Sequence, residues 1–318
     1  NDNFLDDAVE VTLTGTSTVA QAAAAEAATN SGTTTVEAIE DTAALLAGSS
    51  NAVLNLVSGT VTASTAANAA EATTLQGFTE AVVYSVSDTA AAIAAQITTN
   101  TNDSFLDDAV NITATGTGGA NAADVSGANA ILGAANSGTK TIEEVRDTAD
   151  QAALLSVGAN ETVSLLTVTD GAEDSEAVAI HALIGNGVTT ASFSIEDTGT
   201  NVAELTSGVL GSAENITTTG AAISASDAGK ILGASNSGTT TLSAVTGTAA
   251  QILALPIASN DTITTVTVTG TATAQQALDI ATLDALTGVG TVTIAAVSDT
   301  ALALSGATNA ALDLVTGT

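Results

Sequence analysis

Cysteine, methionine and tryptophan are absent from this chain of 318 residues, and proline occurs only once. The absence of cysteine excludes a disulfide framework, and it fits a surface location or secretion by a route that avoids thiols. The chain begins without methionine and without a signal peptide. We therefore expect a mature product or an excerpt of a longer protein.

Basic and aromatic residues are also scarce. The three basic residues face 34 acidic ones, so the formal net charge is −31, and aromatic residues make up 2% of the chain. Such a charge repels nucleic acid and anionic membrane surfaces, so we expect neither as a partner. Because no run of about 18 apolar residues occurs, we also expect no membrane insertion.

What the chain does contain is an internal repeat, marked by an Asp-Thr motif at intervals of 47 to 59 residues. β-branched residues precede each copy and Ala or Leu residues follow it, which predicts a strand and then a helix. We predict that the aspartate is the helix N-cap. The marked positions are Asp41, Asp88, Asp147, Asp197 and Asp299, with Gly247 in a degenerate copy.

A second motif, a β-branched strand that ends in glycine, alternates with the first. Seven copies end at Gly15, Gly59, Gly116, Gly171, Gly220, Gly270 and Gly317. Alternation of the two motifs halves the repeat to about 25 residues, which is within the range of leucine-rich repeats. Strands such as Val266–Thr269 alternate valine and threonine, which predicts one buried and one threonine-lined sheet face.

These patterns predict an α/β fold. We expect a right-handed solenoid of about twelve βα coils, with a leucine-rich-repeat-like parallel sheet and helices on one face. The alternative is a two-sheet solenoid in which each βαβα unit forms one coil. In either form residues 1–318 make a single repeat array, with units of about 8–51, 52–108, 109–160, 161–214, 215–261 and 262–311 and a partial unit at 312–318.

An acidic segment at the start of the sequence reappears 101 residues later. Carboxylates in a turn before a strand are hard oxygen ligands that suit calcium, so Ca²⁺ is the candidate cofactor. The alternative is a solvated turn with an aspartate cap. The candidate ligands are Asp2, Asp6, Asp7, Asp103, Asp107 and Asp108.

Two further residues resemble catalytic or phosphate-binding groups, but neither motif is complete. His181 is the single histidine and has no cysteine or second histidine to act with. Lys140 ends a glycine-containing stretch that resembles a phosphate loop, but the order of Thr and Lys is reversed and the stretch follows a helix. We therefore expect no enzymatic activity.

The Val-Ser-Asp-Thr-Ala motif and the Thr-Val-Thr-Val-Thr-Gly strands resemble repeat regions of very large bacterial secreted or cell-surface proteins. Cyanobacterial surface or S-layer-like proteins and type I-secreted haemolysin-like adhesins are examples. The resemblance implies an extracellular or cell-surface location and a structural or adhesive role. We expect a structural protein that forms a filament or surface layer with copies of itself, or alternatively a calcium-dependent adhesin or binding module.

Overall fold

The computed structural model describes residues 5–285, 288–306 and 309–316. The chain forms two compact units. The first contains the residues up to Arg146 together with Leu154–Leu166 and Gly185–Thr190. The second contains Asp147–Ala153, Thr167–Ile184 and the residues from Ala191 onward.

The strands are short where the repeat is irregular and long where β-branched residues alternate. They are β1 (Val11–Ser17), β2 (Thr34–Asp41), β3 (Val61–Ala63), β4 (Val82–Val83), β5 (Val86–Thr89), β6 (Ile112–Thr115), β7 (Lys140–Asp147), β8 (Glu161–Ala172), β9 (Val188–Thr198), β10 (Ile216–Thr219), β11 (Ile223–Ser224), β12 (Thr240–Gly247), β13 (Asp261–Ala272) and β14 (Val289–Val297).

The helices are rich in alanine and most have fewer than nine residues. They are α1 (Val19–Glu26), α2 (Ala43–Ala47), α3 (Asn51–Leu54), α4 (Ala69–Gln76), α5 (Ala90–Asn100), α6 (Ser104–Asp107), α7 (Val125–Leu132), α8 (Ala149–Ala152), α9 (Asp174–Leu183), α10 (Gly199–Glu204), α11 (Ser207–Ser212), α12 (Ala225–Leu232), α13 (Ala249–Leu253), α14 (Ala274–Asp284), α15 (Ala301–Ser305) and α16 (Asn309–Asp313).

Parallel pairing of consecutive strands builds both units. In the first unit, β1 to β4 form one sheet in chain order, and β5, β6 and β7 are followed in a second sheet by the first residues of β8 and β9, up to Leu166 and Thr190. In the second unit, the remaining residues of β8 and β9 are followed by β10, β12, β13 and β14, and β11 pairs with β12. The α/β class with parallel sheets is therefore confirmed.

The predicted alternation of buried and exposed residues is present along the strands. In β13, Val266 and Val268 are fully buried, whereas Thr267 and Thr269 are exposed. The parallel register places Thr246, Thr267 and Thr293 side by side on β12, β13 and β14. One face of these strands packs in the core, and the other presents threonine rows.

The helices are distinguished by their fourth residue, which is buried in nearly every case. Alanine occupies this position in α1, α4, α7, α9, α12 and α14, and larger side chains, Leu46, Ile93, Val202 and Ile252, occupy it in α2, α5, α10 and α13. Alanine and larger side chains therefore alternate from one of these helices to the next, except that α8 has Ala152 where a larger residue would be expected. The alanines are Ala22, Ala72, Ala128, Ala177, Ala228 and Ala277.

The predicted strand ends at glycine are correct in part. Gly116 and Gly220 follow β6 and β10 with φ values of 101° and 83°. Gly15 and Gly270 lie instead within β1 and β13, where positive φ values accompany a register shift against the next strand. These glycines form bulges, so the strand continues for two more residues.

Two of the predicted glycine-ended strands are wrong. Leu54 ends α3, and Val57 forms only an isolated bridge to Val36. Val315 likewise makes only a bridge, to Ile294, after α16, and Gly317 lies outside the described residues. A short apolar run does not distinguish a strand from a helical turn, and here the preceding serine and asparagine begin a helix.

Candidate functional site

The Asp-Thr motif marks every second change from strand to helix, but the threonine is the N-cap. Thr42 and Thr89 have extended backbones, and their side chains accept the N–H groups of Leu45 and Ala92. The prediction of an aspartate cap at Asp41, Asp88, Asp147, Asp197 and Asp299 is therefore wrong. The aspartate precedes the cap by one residue, which leaves its carboxylate free for another partner.

That partner is the N-terminal amide of the helix one segment earlier in the chain. Asp88 Oδ1 accepts the N–H of Thr89 at 2.7 Å, and Oδ2 accepts the N–H of Ala69, the first residue of α4, at 3.1 Å. The same link joins Asp41 to Val19, Asp197 to Asp174 and Asp299 to Ala274. Each carboxylate thus fixes the distance between two consecutive helix N-termini, where its charge is also stabilised.

Asp197 shows the electrostatic consequence of this geometry. Partial burial alone would raise the pKa of Asp197, but hydrogen bonds from the Asp174 N–H, from Thr198 and from Asn201 outweigh it and hold that pKa below its ordinary value. The carboxylate is therefore stabilised in its charged form.

Asparagine side chains make a second kind of link between consecutive segments. Asn51 Oδ1 contacts both the N–H of Thr79, at 2.9 Å, and its hydroxyl, at 2.8 Å. Asn111 and Thr139 repeat the arrangement, and so do Asn215 and Thr239. Sequence analysis missed these pairs because their members are 24 to 28 residues apart.

The predicted calcium ligands are used in part for the same purpose. Asp6 Oδ1 accepts the N–H of Thr29 at 2.8 Å, and Asp107 Oδ1 accepts the N–H of Ala135 at 2.6 Å. Asp7 and Asp108 are exposed, and Asp103 precedes α6 without a side-chain cap bond. Within the described ranges, no three His, Cys, Asp or Glu side chains are arranged to hold a metal ion. Asp2 lies outside those ranges, and calcium binding stays a prediction.

Lys140, the residue that ends the stretch resembling a phosphate loop, is buried on β7. Its Nζ donates to the carbonyls of Leu132 and Ala134 and forms an ion pair with Glu161 Oε1 at 3.0 Å. The lysine therefore caps the C-terminal end of α7. The corresponding residues elsewhere are Thr34 and Thr240, whose hydroxyls donate to Asn30 and Asn236.

His181 on α9 has a side-chain partner that the sequence did not indicate. Its Nδ1 lies 2.7 Å from Ser212 Oγ, and that hydroxyl donates to the carbonyl of Gly208 at 2.8 Å. The two contacts form a chain from His181 through Ser212 to the Gly208 carbonyl. The pair joins α9 to α11.

A cleft of about 420 Å³ lies in the first unit, lined by residues at the end of α4, by residues 78–84 and by the turn after α6. Its lining includes Phe78, Glu80, Tyr84 and Asp108. The Tyr84 hydroxyl donates to the Phe105 carbonyl at 2.8 Å. Burial raises the pKa of Tyr84 well above its ordinary value, and the carboxylates of Asp108 and Asp107 act in the same direction.

No protein-family model matches the chain, and no curated protein matches it. In the described parts of the chain, no helix has both the length and the apolar character needed to cross a membrane.

Proposed function

We propose that this chain is a non-enzymatic structural protein whose repeats stack as a right-handed solenoid of about twelve βα coils and build an extracellular filament or surface layer. The observation that carries the proposal is the repeated carboxylate link. At Asp41, Asp88, Asp197 and Asp299 the side chain accepts an amide of the preceding helix, so the same interface is made again and again. Such nearest-neighbour contacts are how repeat arrays gain stability.

The order of strands and helices supports the single-sheet form over the two-sheet alternative. β1, β2 and β3 are direct neighbours, whereas two facing sheets would pair every second strand. The short helices α3, α6, α11 and α16 each follow another helix with no strand between them. When each is counted with the helix before it, the described helices give twelve strand–helix segments.

The edge of β1 is where a further copy would add. β1 is the outermost strand of its sheet among the described residues. The N–H of Val11 donates to Thr33 on the β2 side, so the N–H of its neighbour Thr12 points to the open side. Unpaired strand edges recruit further strands.

The assembly is tested at this edge with a matched pair of variants. Thr12→Pro removes the outward donor without removing a hydrogen bond to β2, and Thr12→Ala keeps the donor. Analytical ultracentrifugation and electron microscopy should find ordered polymers for the unaltered chain and for Thr12→Ala, and far fewer for Thr12→Pro. Stable monomers of the unaltered chain at high concentration would contradict the proposal.

We base the extracellular location and the structural role on the resemblance to bacterial secreted and cell-surface repeat regions. The charge of −31 supports them, because an acidic surface keeps a large array soluble and repels nucleic acid and anionic membranes. Lateral contacts between such surfaces require charge screening, so assembly should increase with ionic strength.

A second candidate is a calcium-dependent adhesin or binding module that uses the threonine-lined face. The aligned threonines at 246, 267 and 293 favour it, because they present a regular row of hydroxyl groups. Thermal unfolding with calcium and with EDTA tests the ion. A higher melting temperature in calcium supports this candidate, and identical melting curves contradict it.

A further inference from the structure

We propose that the cleft beside Tyr84 binds a small organic cation with an aromatic or apolar body. The proposal is independent of assembly, because none of the cleft residues belongs to β1. A volume of about 420 Å³ is within the range of small-molecule sites.

The cleft lies where the chain departs from its repeat. The strand that leads into the Asp-Thr motif at Asp197 is β9, with 11 residues, and the one that leads into the motif at Asp299 is β14, with 9 residues. Before Asp88, the corresponding stretch has only the two residues of β4 and the four of β5, and residues 78–81 form no strand. One wall of the cleft is therefore built from irregular chain at a position where the segments of β9 and β14 have a strand.

The walls of the cleft are held in place by contacts to neighbouring segments. Thr79 is fixed by Asn51, which accepts both its amide and its hydroxyl. The buried Tyr84 hydroxyl donates to the Phe105 carbonyl, which fixes α6 and the Asp108 that follows it. A site with fixed walls binds a ligand at a smaller entropic cost than a site that must first be ordered.

The chemistry of the lining selects a cation. No hydrogen bond or ion pair is defined for the Glu80 or Asp108 side chain, whereas the carboxylates of Asp88 and Asp107 accept backbone amides. The lining residues include no Lys, Arg or His. Two carboxylates at the cleft and a strongly negative chain give a potential that attracts positive charge.

The apolar part of the lining accounts for the body of the ligand. Val83 and Val110 line the cleft and are 44% and 45% exposed, so their apolar surface is accessible to a ligand. The half-buried ring of Phe78 lies in the same lining and can stack on an aromatic ligand or attract an ammonium group. Three of the five aromatic residues of the chain, Phe78, Tyr84 and Phe105, are within this region.

The probe for the test is phenethylammonium, with the uncharged 2-phenylethanol as its comparison. In NMR titrations of the whole chain, phenethylammonium should shift the signals of Val83 and Val110, and 2-phenylethanol should bind at least about tenfold more weakly, a difference of about 1.4 kcal/mol. Equal binding of the two compounds, or no shift at these valines, would overturn the proposal.

A charge-matched pair of variants separates the cleft from the general negative field. Glu80→Gln with Asp108→Asn removes both cleft carboxylates, and Glu26→Gln with Glu204→Gln removes two exposed helix carboxylates elsewhere. The first variant should bind phenethylammonium about tenfold more weakly, and the second should bind it as the unaltered chain does. Similar weakening in both variants would contradict a specific site. All four residues lie outside the core, and unchanged circular dichroism would confirm folding.

Discussion

The carboxylate of Asp88 accepts the amide of Ala69, which lies 3.1 Å away in space and 19 residues earlier in the chain. Its other oxygen accepts the amide of Thr89. One side chain therefore holds two successive helix starts, a role that a helix cap acting alone does not have. The predictions below follow from this contact and from the packing around it.

Asp88→Asn should weaken the link between the two helices, because the amide side chain offers one acceptor where the carboxylate offers two. We expect a loss of about 1.5 to 3 kcal/mol in the free energy of unfolding, the usual range for a hydrogen bond to a charged group. Urea unfolding measures the loss, and hydrogen exchange should show faster exchange at Ala69 or Thr89. The opposite change, Gly247→Asp, should not create the link in the degenerate copy, because a Cβ atom at Gly247 would lie only 2.7 Å from Ala225 Cβ.

Asp197 should make the stability of the second unit depend on pH in the acid range. Its folded pKa lies below the ordinary value of 3.8, so its contribution is complete above that value and is lost as pH falls through the folded pKa. The amide signal of Asp174, followed by NMR during acidification, should shift with this titration. In Asp197→Asn the shift should disappear, and its persistence would assign the titration to another group.

Glu161→Gln should leave the charge of Lys140 buried without its counter-ion. The two side chains are only 12% and 9% exposed, so we expect a loss of about 3 to 5 kcal/mol. The repeat at residues 215–261 offers a compensated double variant, because Thr240 pairs in register with Asp261. Asp261 accepts the amide three residues before it, as Glu161 does.

The double variant Lys140→Thr with Glu161→Asp should therefore be more stable than Glu161→Gln. The new threonine hydroxyl can donate to Asn136, whose side-chain atoms have no defined hydrogen-bond partner. Thermal unfolding of both variants checks this order, and equal destabilisation would contradict the compensation.

The buried fourth residue of a helix should tolerate only substitutions by side chains of similar volume. Ala228→Leu inserts three carbon atoms at a fully buried position and should cost about 1 to 3 kcal/mol. Ser226→Leu on the exposed side of the same helix is the control and should change stability little. Ile252→Ala, in the neighbouring helix, should cost about 2 to 5 kcal/mol through the cavity it leaves. Urea denaturation compares the three variants.

The α/β class and most changes from strand to helix could be predicted from the sequence, because alternating Val and Thr residues and alanine runs act locally. The partner of Asp88 could not, because it depends on the register between two segments. Leu54–Gly59 was misread as a strand because its apolar residues fit a helical turn equally well.

The cleft also escaped the sequence analysis, although a signal was present. Phe78, Tyr84 and Phe105 fall close together in a chain with only five aromatic residues. Two of the acidic residues that did attract attention, Asp6 and Asp107, accept backbone amides, whereas a third, Asp108, lines the cleft. Glu80 belongs to no sequence motif, and only the packing places it beside Asp108 in the lining.

Alanine alternates with leucine, isoleucine or valine at the fourth helix position from α1 to α7 and again from α9 to α14, on either side of Ala152. Within either stretch, deleting one strand–helix segment that carries the larger residue would place two alanine-type helices side by side and leave unfilled volume against the sheet, whereas deleting two neighbouring segments would restore the order of contacts. Within these stretches the chain can therefore be shortened or lengthened without loss of packing in steps of two segments, and the acidic segment that reappears 101 residues later corresponds to four.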